Sequence, residues 1–220
     1  MINLVKGQRI NLEKGNGSKL TDFCVGCNWG AVTKKSFFGR NTVIDVDLDL
    51  SCLLFDKTGR PVDHIYSPLY HFSSNFRFPH GKLDTKEGAL HHTGDDLTGD
   101  TNGDDGLDNE IITVDLNRIS PNVESIVFFL NIYNNEDYKG DFSGIPYAYI
   151  RMYEGTPDRV KEVFAQYNVS TKTECAGKRG LVLGKLYRRN GEWKFAAIGD
   201  AYPDPSIVDT IGRVLRDYSR

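Results

Sequence analysis

The sequence predicts an all-β protein: a β-sandwich of two antiparallel-type sheets with one C-terminal α-helix. Three features of its 220 residues predict this class. Short apolar stretches with alternating polar positions recur along the chain, an Asn-Gly turn joins two of them, and a helical apolar stripe occurs only near the end. Strands and helices do not alternate regularly, which favours a sandwich over a parallel sheet. We expect one domain over residues 1–220, with a helical extension over about 204–219.

The first two predicted strands differ in character. Residues 4–12 alternate loosely around Gly7 and predict an edge strand. Residues 23–29 alternate strictly, so that one face carries Phe23, Val25, Cys27 and Trp29. Gly26 falls on the other face and predicts that another part of the chain approaches the backbone closely there.

Residues 42–55 form the most informative predicted strand. One face carries Val46, Leu48, Leu50 and Cys52, and the other carries Asp45, Asp47, Asp49 and Ser51. A half-buried strand whose polar face meets water would explain this alternation. Aspartate is a poor strand former, however, and aspartates side by side on one face repel each other. The alternative to a water-exposed polar face is therefore a cation that lies opposite the aspartates.

The later strands are predicted at residues 111–116, 125–133, 147–153 and 160–169. Residues 125–133 are nearly all apolar, which is typical of a central strand covered on both faces. Residues 160–169 follow a Thr-Pro pair that resembles a helix start, but their alternation favours a strand. Asn190-Gly191 supplies the positive φ angles of a type I′ turn and predicts a hairpin over residues 181–198.

The last element is predicted to be a helix. Asp204 is the expected N-cap, and Pro205 is expected at the first helical position. The apolar stripe of this helix consists of Ile207, Val208, Ile211, Val214, Leu215 and Tyr218. Such a stripe is most simply a face that docks on the domain.

Charge and composition narrow the classes of function. The formal net charge is −3, yet seven of the 30 acidic residues lie in residues 92–110, and the other 23 are outnumbered by 27 basic residues. The acidity is therefore local, and without a broad basic face we expect no nucleic-acid partner. The sequence shows neither a signal peptide nor a transmembrane segment, so we expect a cytoplasmic protein.

The cysteines and histidines give weaker signals. Cys24 and Cys27 form a C-x-x-C pair, but Cys52 and Cys175 stand alone, so we predict cysteines buried in strands and no structural zinc site. The four histidines from position 71 to position 92 lack the spacing of metal ligands. We expect them to be exposed or hydrogen-bonded.

The acidic loop over residues 92–110 is the main candidate site. It contains seven carboxylates and no lysine or arginine. Two carboxylates ~5 Å apart repel by roughly 3 kcal/mol at an effective dielectric of ~20, so the loop is either solvated and loose or folded around metal. Many aspartates together with glycines and carbonyl groups fit calcium better than magnesium, which demands an octahedron. The sequence therefore favours Ca²⁺ as the cofactor.

An EF-hand is excluded although part of its ligand spacing is present. Asp100, Asn102 and Asp104 reproduce the first three ligand positions. The required glycine would fall at Asp105, and the closing glutamate arrives one residue early at Glu110. The flanks are a loop and a strand instead of helices, so only the ligand chemistry is shared.

Four ordered motifs resemble the TerD-domain family of tellurium-resistance and stress proteins. They are Leu4-x-Lys6-Gly7, Asp45-x-Asp47-Leu48-Asp49-x-Ser51, His92–Gly99 followed by Asn102-Gly103-Asp104-Asp105, and Gly184-x-Leu186-Tyr187-Arg188-x-Asn190-Gly191-Glu192-Trp193-Lys194-Phe195. The resemblance extends from the first strand to about Tyr202. It implies a β-sandwich that binds calcium and is associated with resistance to tellurite and other chemical stress.

The resemblance also implies a set of ligands. They lie among Asp45, Asp47, Asp49, Asp95, Asp96, Asp104, Asp105 and Glu110. The chain departs from the family pattern at Asp96, where Asn is usual, and by the added residues Gly106–Asn109. The added residues leave the roles of Asp100, Asn102 and Asp108 open, and we retain these three as metal-ligand candidates.

Three functions compete at this point. The first is a non-enzymatic calcium-binding stress protein, with calcium ions and the proteins of a stress-response complex as partners. The second is a metal-dependent hydrolase or phosphoryl-transfer enzyme, although the sequence lacks the common nucleophile, phosphate-loop and zinc-protease motifs. The third is a calcium-dependent module that binds lipid, sugar or protein. If the chain is a non-enzymatic stress protein, we expect it to contain no catalytic residues.

Overall fold

A computed structural model gives the architecture and describes residues 2–14, 16–35, 41–44, 46–72, 77–133 and 138–220. The strands in chain order are β1 (Ile2–Asn3), β2 (Arg9–Asn11), β3 (Asp22–Trp29), β4 (Val32–Lys35), β5 (Asn41–Ile44), β6 (Leu48–Phe55), β7 (Pro61–Ile65), β8 (Leu90–His92), β9 (Glu110–Asp115), β10 (Ser125–Ile132), β11 (Ala148–Thr156), β12 (Arg159–Asn168), β13 (Gly180–Arg189) and β14 (Glu192–Tyr202). One helix, α1 (Ile207–Arg213), continues into a π-helical turn over Val214–Tyr218. No helix of the described residues is long and apolar enough to cross a membrane.

Two six-stranded sheets form the sandwich and confirm the predicted fold class. The first sheet has the order β1-β12-β11-β3-β9-β8, and its pairs are antiparallel except for β1 with β12. The second sheet has the order β2-β14-β13-β10-β6-β7 and is antiparallel throughout. Strands β4 and β5 form a separate antiparallel pair.

The main core lies between the two sheets, where alternate residues of facing strands meet. Val25 and Ile112 come from the first sheet, whereas Leu50, Phe128 and Leu181 come from the second. The outer face of the second sheet carries a second apolar cluster, because α1 packs on it through Ile207, Ile211 and Val214. This packing confirms the docking face predicted for the helix, and it buries β6 and β10 on both faces.

The start of the helix differs from the prediction. The N-cap is Ser206 and α1 begins at Ile207, so Asp204 is not the N-cap and Pro205 precedes the helix. Asp204 is only 5% exposed, and its carboxylate accepts hydrogen bonds from Thr210 and Arg213. The Asp204 carboxylate therefore pairs with side chains further along the helix instead of capping the first turn.

Several strand predictions are confirmed and others need correction. The strands predicted at 111–116, 125–133, 147–153 and 160–169 correspond to β9 to β12, and the hairpin corresponds to β13 and β14. Asn190 and Gly191 have φ angles of 53° and 77°, as a type I′ turn requires. The strand predicted over 4–12 is wrong, because the turn at Gly7 interrupts it and only Arg9–Asn11 of this segment forms a strand, β2.

The strand predicted over 42–55 is likewise divided, into β5 and β6, and Asp45 lies outside the described residues. All four cysteines are free and buried, as predicted. Cys175 is the exception to the expected location in strands, because it ends a 3-10 turn over Thr173–Cys175.

Candidate metal centre

The acidic loop is compact and packs along the end of β3. Asn109 N donates a hydrogen bond to Cys27 O at 2.9 Å, and Asp100 N donates to Trp29 O at 2.9 Å. Trp29 Nε1 in turn donates to Val46 O at 2.8 Å, just before β6. These bonds hold the loop next to Asp47 and Asp49, at the start of β6.

Three carboxylates meet where the two sheets approach this loop, and we call Asp47, Asp95 and Glu110 the inner acidic cluster. One oxygen from each lies within 4.8 Å of the others. Asp47 and Glu110 are 5% and 1% exposed. Asp47 Oδ1 and Asp95 Oδ1 are buried and accept no hydrogen bond from any described residue. Buried oxygens without a donor cost free energy, so the cluster is poised for a cation.

Glu110 fixes the geometry of this cluster because it joins the two sheets. It is the first residue of β9, and its Oε2 accepts a hydrogen bond from Leu50 N of β6 at 2.7 Å. Its Oε1 accepts from Asp96 N at 3.3 Å. Two backbone N–H groups thus orient this carboxylate, one at each oxygen.

Burial and mutual repulsion shift the acidity of the cluster. Burial, followed by the charges of Asp49 and Asp95, raises the pKa of Asp47 to about 10. Burial is also the main reason why the pKa values of Glu110 and Asp49 are raised well above their usual range. These carboxylates therefore resist ionisation together unless positive charge is supplied.

No described side chain supplies that positive charge to the inner cluster. No described lysine or arginine forms an ion pair with its three carboxylates. His92 lies close, with Nε2 3.4 Å from Glu110 Oε2, but burial lowers the pKa of His92 to about 4. Gly94 N donates to His92 Nδ1 at 3.0 Å, which leaves the proton of a neutral imidazole on Nε2, facing Glu110.

Asp49 and Asp96 flank the inner acidic cluster. Asp49 is 3% exposed and accepts a hydrogen bond from the hydroxyl of Tyr70, in the 3-10 turn Pro68–Phe72. Asp96 Oδ1 accepts from Thr98 N and Gly99 N at 3.0 and 3.1 Å. Both carboxylates therefore already have hydrogen-bond donors.

A second group, Asp100, Asp104 and Asp105, forms the outer acidic cluster at the surface. One oxygen from each again lies within 4.8 Å of the others. Tyr147 and Tyr149 donate their hydroxyl protons to Asp100 and Asp104, each at 2.8 Å. Because the outer acidic cluster is exposed to water and accepts these hydrogen bonds, its carboxylates repel each other less than those of the inner acidic cluster do.

The added residues Gly106–Asn109 pack on the outer face of the first sheet. Asp108 accepts a hydrogen bond from Arg151 Nε at 3.0 Å, and Gly106 O accepts from Arg151 Nη2 at 2.6 Å. Burial raises the pKa of Asp108 to about 6, against the opposing effect of Arg151. A Cβ atom on Gly26 would lie 2.0 Å from Asp108 Oδ2, so the close approach predicted at Gly26 is confirmed.

Asn109 links the two clusters. Its Nδ2 donates to Asp96 and Asp100 at 3.3 and 3.2 Å, and its Oδ1 accepts from Trp29 N at 2.9 Å. Asn102 is exposed on the loop, and its role as a ligand stays a prediction.

Asn109, Arg151 and the two tyrosines were not among the predicted site residues. Tyr149 and Arg151 share one face of β11, and Tyr147, immediately before the strand, continues the same two-residue spacing, a signal that alternation could have revealed.

Comparisons with known proteins agree with the motifs. A family profile described as the TerD domain matches residues 1–209. The chain is 34% identical over 218 residues to stress response protein SCP2 of Bacillus subtilis (strain 168), covering 97% of this chain and 99% of that protein. It is also 34% identical over 213 residues to tellurium resistance protein TerZ of Serratia marcescens, covering 95% and 94% of the two chains.

A solved structure shares the fold. It is a homologue of telluride resistance protein (TerD) from Streptomyces coelicolor A3(2), with a TM-score of 0.60 and 16% identity over 91% of this chain and 98% of that chain. The sequence matches cover nearly the whole chain and confirm the predicted resemblance. The chain therefore belongs to the TerD-domain family.

Proposed function

We propose that this protein is a non-enzymatic, calcium-binding stress-response protein whose principal ion site is the inner acidic cluster. One observation carries the proposal. Asp47, Asp95 and Glu110 each bring a carboxylate oxygen within 4.8 Å of the others, and Asp47 Oδ1 and Asp95 Oδ1 are buried with no hydrogen-bond donor among the described residues. A divalent cation would neutralise the repulsion and satisfy both oxygens.

The donor set favours a hard cation. The three converging groups are all oxygen ligands. His92 adds no nitrogen ligand, because its Nδ1 accepts a hydrogen bond from Gly94 N and its Nε2 faces Glu110. Calcium accepts six to eight oxygen ligands at ~2.3–2.6 Å in irregular geometry, whereas magnesium demands a near-ideal octahedron. Three carboxylates anchored in two sheets and a loop cannot rearrange freely, so calcium fits this site better than magnesium.

A bound ion would act as a cross-link. Asp47 precedes β6, Asp95 follows β8, and Glu110 begins β9, so one ion would join the second sheet, the acidic loop and the first sheet. The names of the relatives, which refer to stress response and tellurium resistance, support a role under chemical stress. In this proposal, calcium orders the acidic loop so that proteins of a stress-response complex can recognise it.

A calcium-dependent binding module is the second candidate, and one observation favours it. Leu97 and Leu107 are 50% and 39% exposed on the acidic loop. Apolar side chains displayed by a metal-ordered loop are suited to a lipid or protein surface. Sedimentation with liposomes, with calcium and with EDTA, would detect calcium-dependent lipid binding. Equal recovery under both conditions would contradict lipid recognition.

Calorimetric titration of the metal-free protein with calcium tests the main proposal. We expect binding below millimolar calcium that is lost in Asp95→Asn and retained in the outer-cluster control Asp104→Ala/Asp105→Ala. Absence of binding at millimolar calcium would contradict the proposal. Turnover of nucleotide or phosphoester substrates that disappeared in Asp95→Asn would contradict the non-enzymatic assignment.

A further inference from the structure

A cavity of about 400 Å³ lies at the end of the sandwich away from the inner acidic cluster. Its walls come from the segment before β3, the turn after β9 and the β13–β14 hairpin. Leu116 lines it, whereas Glu110 lies at the other end of β9. Six strand residues correspond to ~20 Å, so this cavity and the inner cluster are separate sites.

The floor of the cavity is apolar and belongs to the main core. Leu12, Leu20, Leu116 and Ile119 are each at most 7% exposed, and Trp193 is partly buried against the same core. These four aliphatic side chains are almost fully covered, so the apolar area that the cavity offers to a ligand ring comes mainly from the half-buried Trp193, among walls that are largely polar.

Arg188 places a fixed positive charge beside this floor. Its guanidinium carbon lies 4.5 Å from the centre of the Trp193 ring, and its Nε donates to Val123 O at 3.0 Å. Its Nη2 lies 3.4 Å from the carbonyl oxygens of Ile119 and Ser120. No described carboxylate forms an ion pair with Arg188, so its charge is held in place without being neutralised.

The remaining charges at the cavity leave a positive excess. Lys19 and Lys194 share Glu192, at 2.9 and 3.1 Å. Glu13 is the other acidic residue of the lining. Three basic side chains thus face two acidic ones, and a ligand with one negative charge would balance the cavity.

We propose that this cavity binds a small organic anion that combines a flat unsaturated ring with one carboxylate, sulfonate or phosphate group. The ring lies on the apolar floor beside Trp193, and the anionic group faces Arg188 and Lys19. The Nε and Nη2 groups of Arg188 already donate to backbone carbonyls, which leaves Nη1 and the charge of the guanidinium to recognise the anion. A volume of about 400 Å³ is in the range of small-molecule sites.

This site also gives a role to the fourth sequence motif. The motif from Gly184 to Phe195 contributes nothing to the acidic clusters, yet it supplies both Arg188 and Trp193 to the cavity. The inference is independent of calcium binding, and either can fail without the other.

Fluorescence titration with 8-anilinonaphthalene-1-sulfonate, an aromatic amine with one sulfonate group, tests the proposal on the full chain. The uncharged analogue N-phenyl-1-naphthylamine is the matched probe. We expect the sulfonate to bind about tenfold more tightly than the neutral analogue. Arg188→Gln should weaken the sulfonate about tenfold and the neutral probe less than twofold, whereas Trp193→Leu should weaken both.

Two further variants keep the test decisive. Lys19→Gln changes a side chain that is 73% exposed, so folding is preserved, and it should weaken the sulfonate about threefold. Lys86→Gln lies in another groove, between β7 and α1, and should change nothing. Equal binding of both probes, unchanged binding in folded Trp193→Leu, or loss of binding in Lys86→Gln would overturn the proposal.

Discussion

Asp47→Asn is the substitution that most sharply separates a metal site from a merely buried acid. It keeps the shape of a side chain that is 5% exposed and removes one negative charge from the inner acidic cluster. An amide group would also donate hydrogen bonds to the neighbouring carboxylates. We expect the variant to be more stable than the parent protein without calcium and less stable with it.

The magnitude in the absence of calcium follows from the structure. The converging oxygens are at most 4.8 Å apart, and two charges at that distance repel by roughly 3 kcal/mol at an effective dielectric of ~20. Keeping Asp47 protonated at pH 7 instead, from an unfolded pKa of 3.8, costs about 4 kcal/mol, so the parent protein carries one of these two costs and the amide carries neither. Structural relaxation reduces both figures, so we expect a net gain of about 2 kcal/mol, or about 4–8 °C in the Tm of a chain of this length.

The magnitude with calcium has the opposite sign. Calcium at 1,000 times its Kd stabilises a protein by about 4 kcal/mol, and a hundredfold weaker Kd reduces this to about 1.4 kcal/mol. We therefore expect Asp47→Asn to lose about 3 kcal/mol of calcium-induced stabilisation. The assay is thermal unfolding in EDTA and in millimolar calcium, monitored by circular dichroism.

Asp158→Asn is the matched control, because it removes the same charge from an exposed turn. It should change the free energy of unfolding by less than about 0.5 kcal/mol in either condition. The proposed metal site is contradicted if Asp47→Asn changes the free energy of unfolding as little as this control does. It is also contradicted if Asp47→Asn is less stable in EDTA and its stabilisation by calcium is unchanged.

Three other predictions concern pH and the packed loop. The folded pKa of Asp47, about 10, exceeds its unfolded value, so metal-free stability should fall as thermal unfolding is followed from about pH 5 to pH 8, and saturating calcium should flatten this slope. Arg151→Met should cost about 3 kcal/mol in chemical denaturation because Asp108 loses its counter-ion, and Arg151→Met/Asp108→Asn should recover part of it. Gly26→Ala should cost about 2 kcal/mol and weaken calcium binding in calorimetry, since its Cβ would displace the Asp108 segment; full stability and affinity would contradict this.

Local patterns predicted most of the fold because strand alternation and turn chemistry are local properties. The Asn190-Gly191 hairpin and the apolar strand β10 show this directly. The division of residues 42–55 and the start of α1 were missed because they depend on distant partners. Asp204, for example, pairs with Arg213 instead of capping the helix.

The candidate site was predictable in composition but not in its division of roles. The sequence predicted eleven ligand candidates, of which Asp47, Asp95 and Glu110 are three. Only the fold shows that these three form a buried cluster and that Asp100, Asp104 and Asp105 form a separate one at the surface. Asp108 illustrates the limit, because its partner Arg151 is 43 residues away and binds it from another strand. Such pairings are set by sheet order, which local sequence does not determine.

We propose that calcium binds between the two sheets at Asp47, Asp95 and Glu110. Crystals grown with calcium and with EDTA would show by difference density whether an ion lies there. We predict an ion coordinated by oxygens of all three residues at ~2.3–2.6 Å, present only with calcium. An ion bound solely at Asp100, Asp104 and Asp105, or no ion at saturating calcium, would contradict the claim.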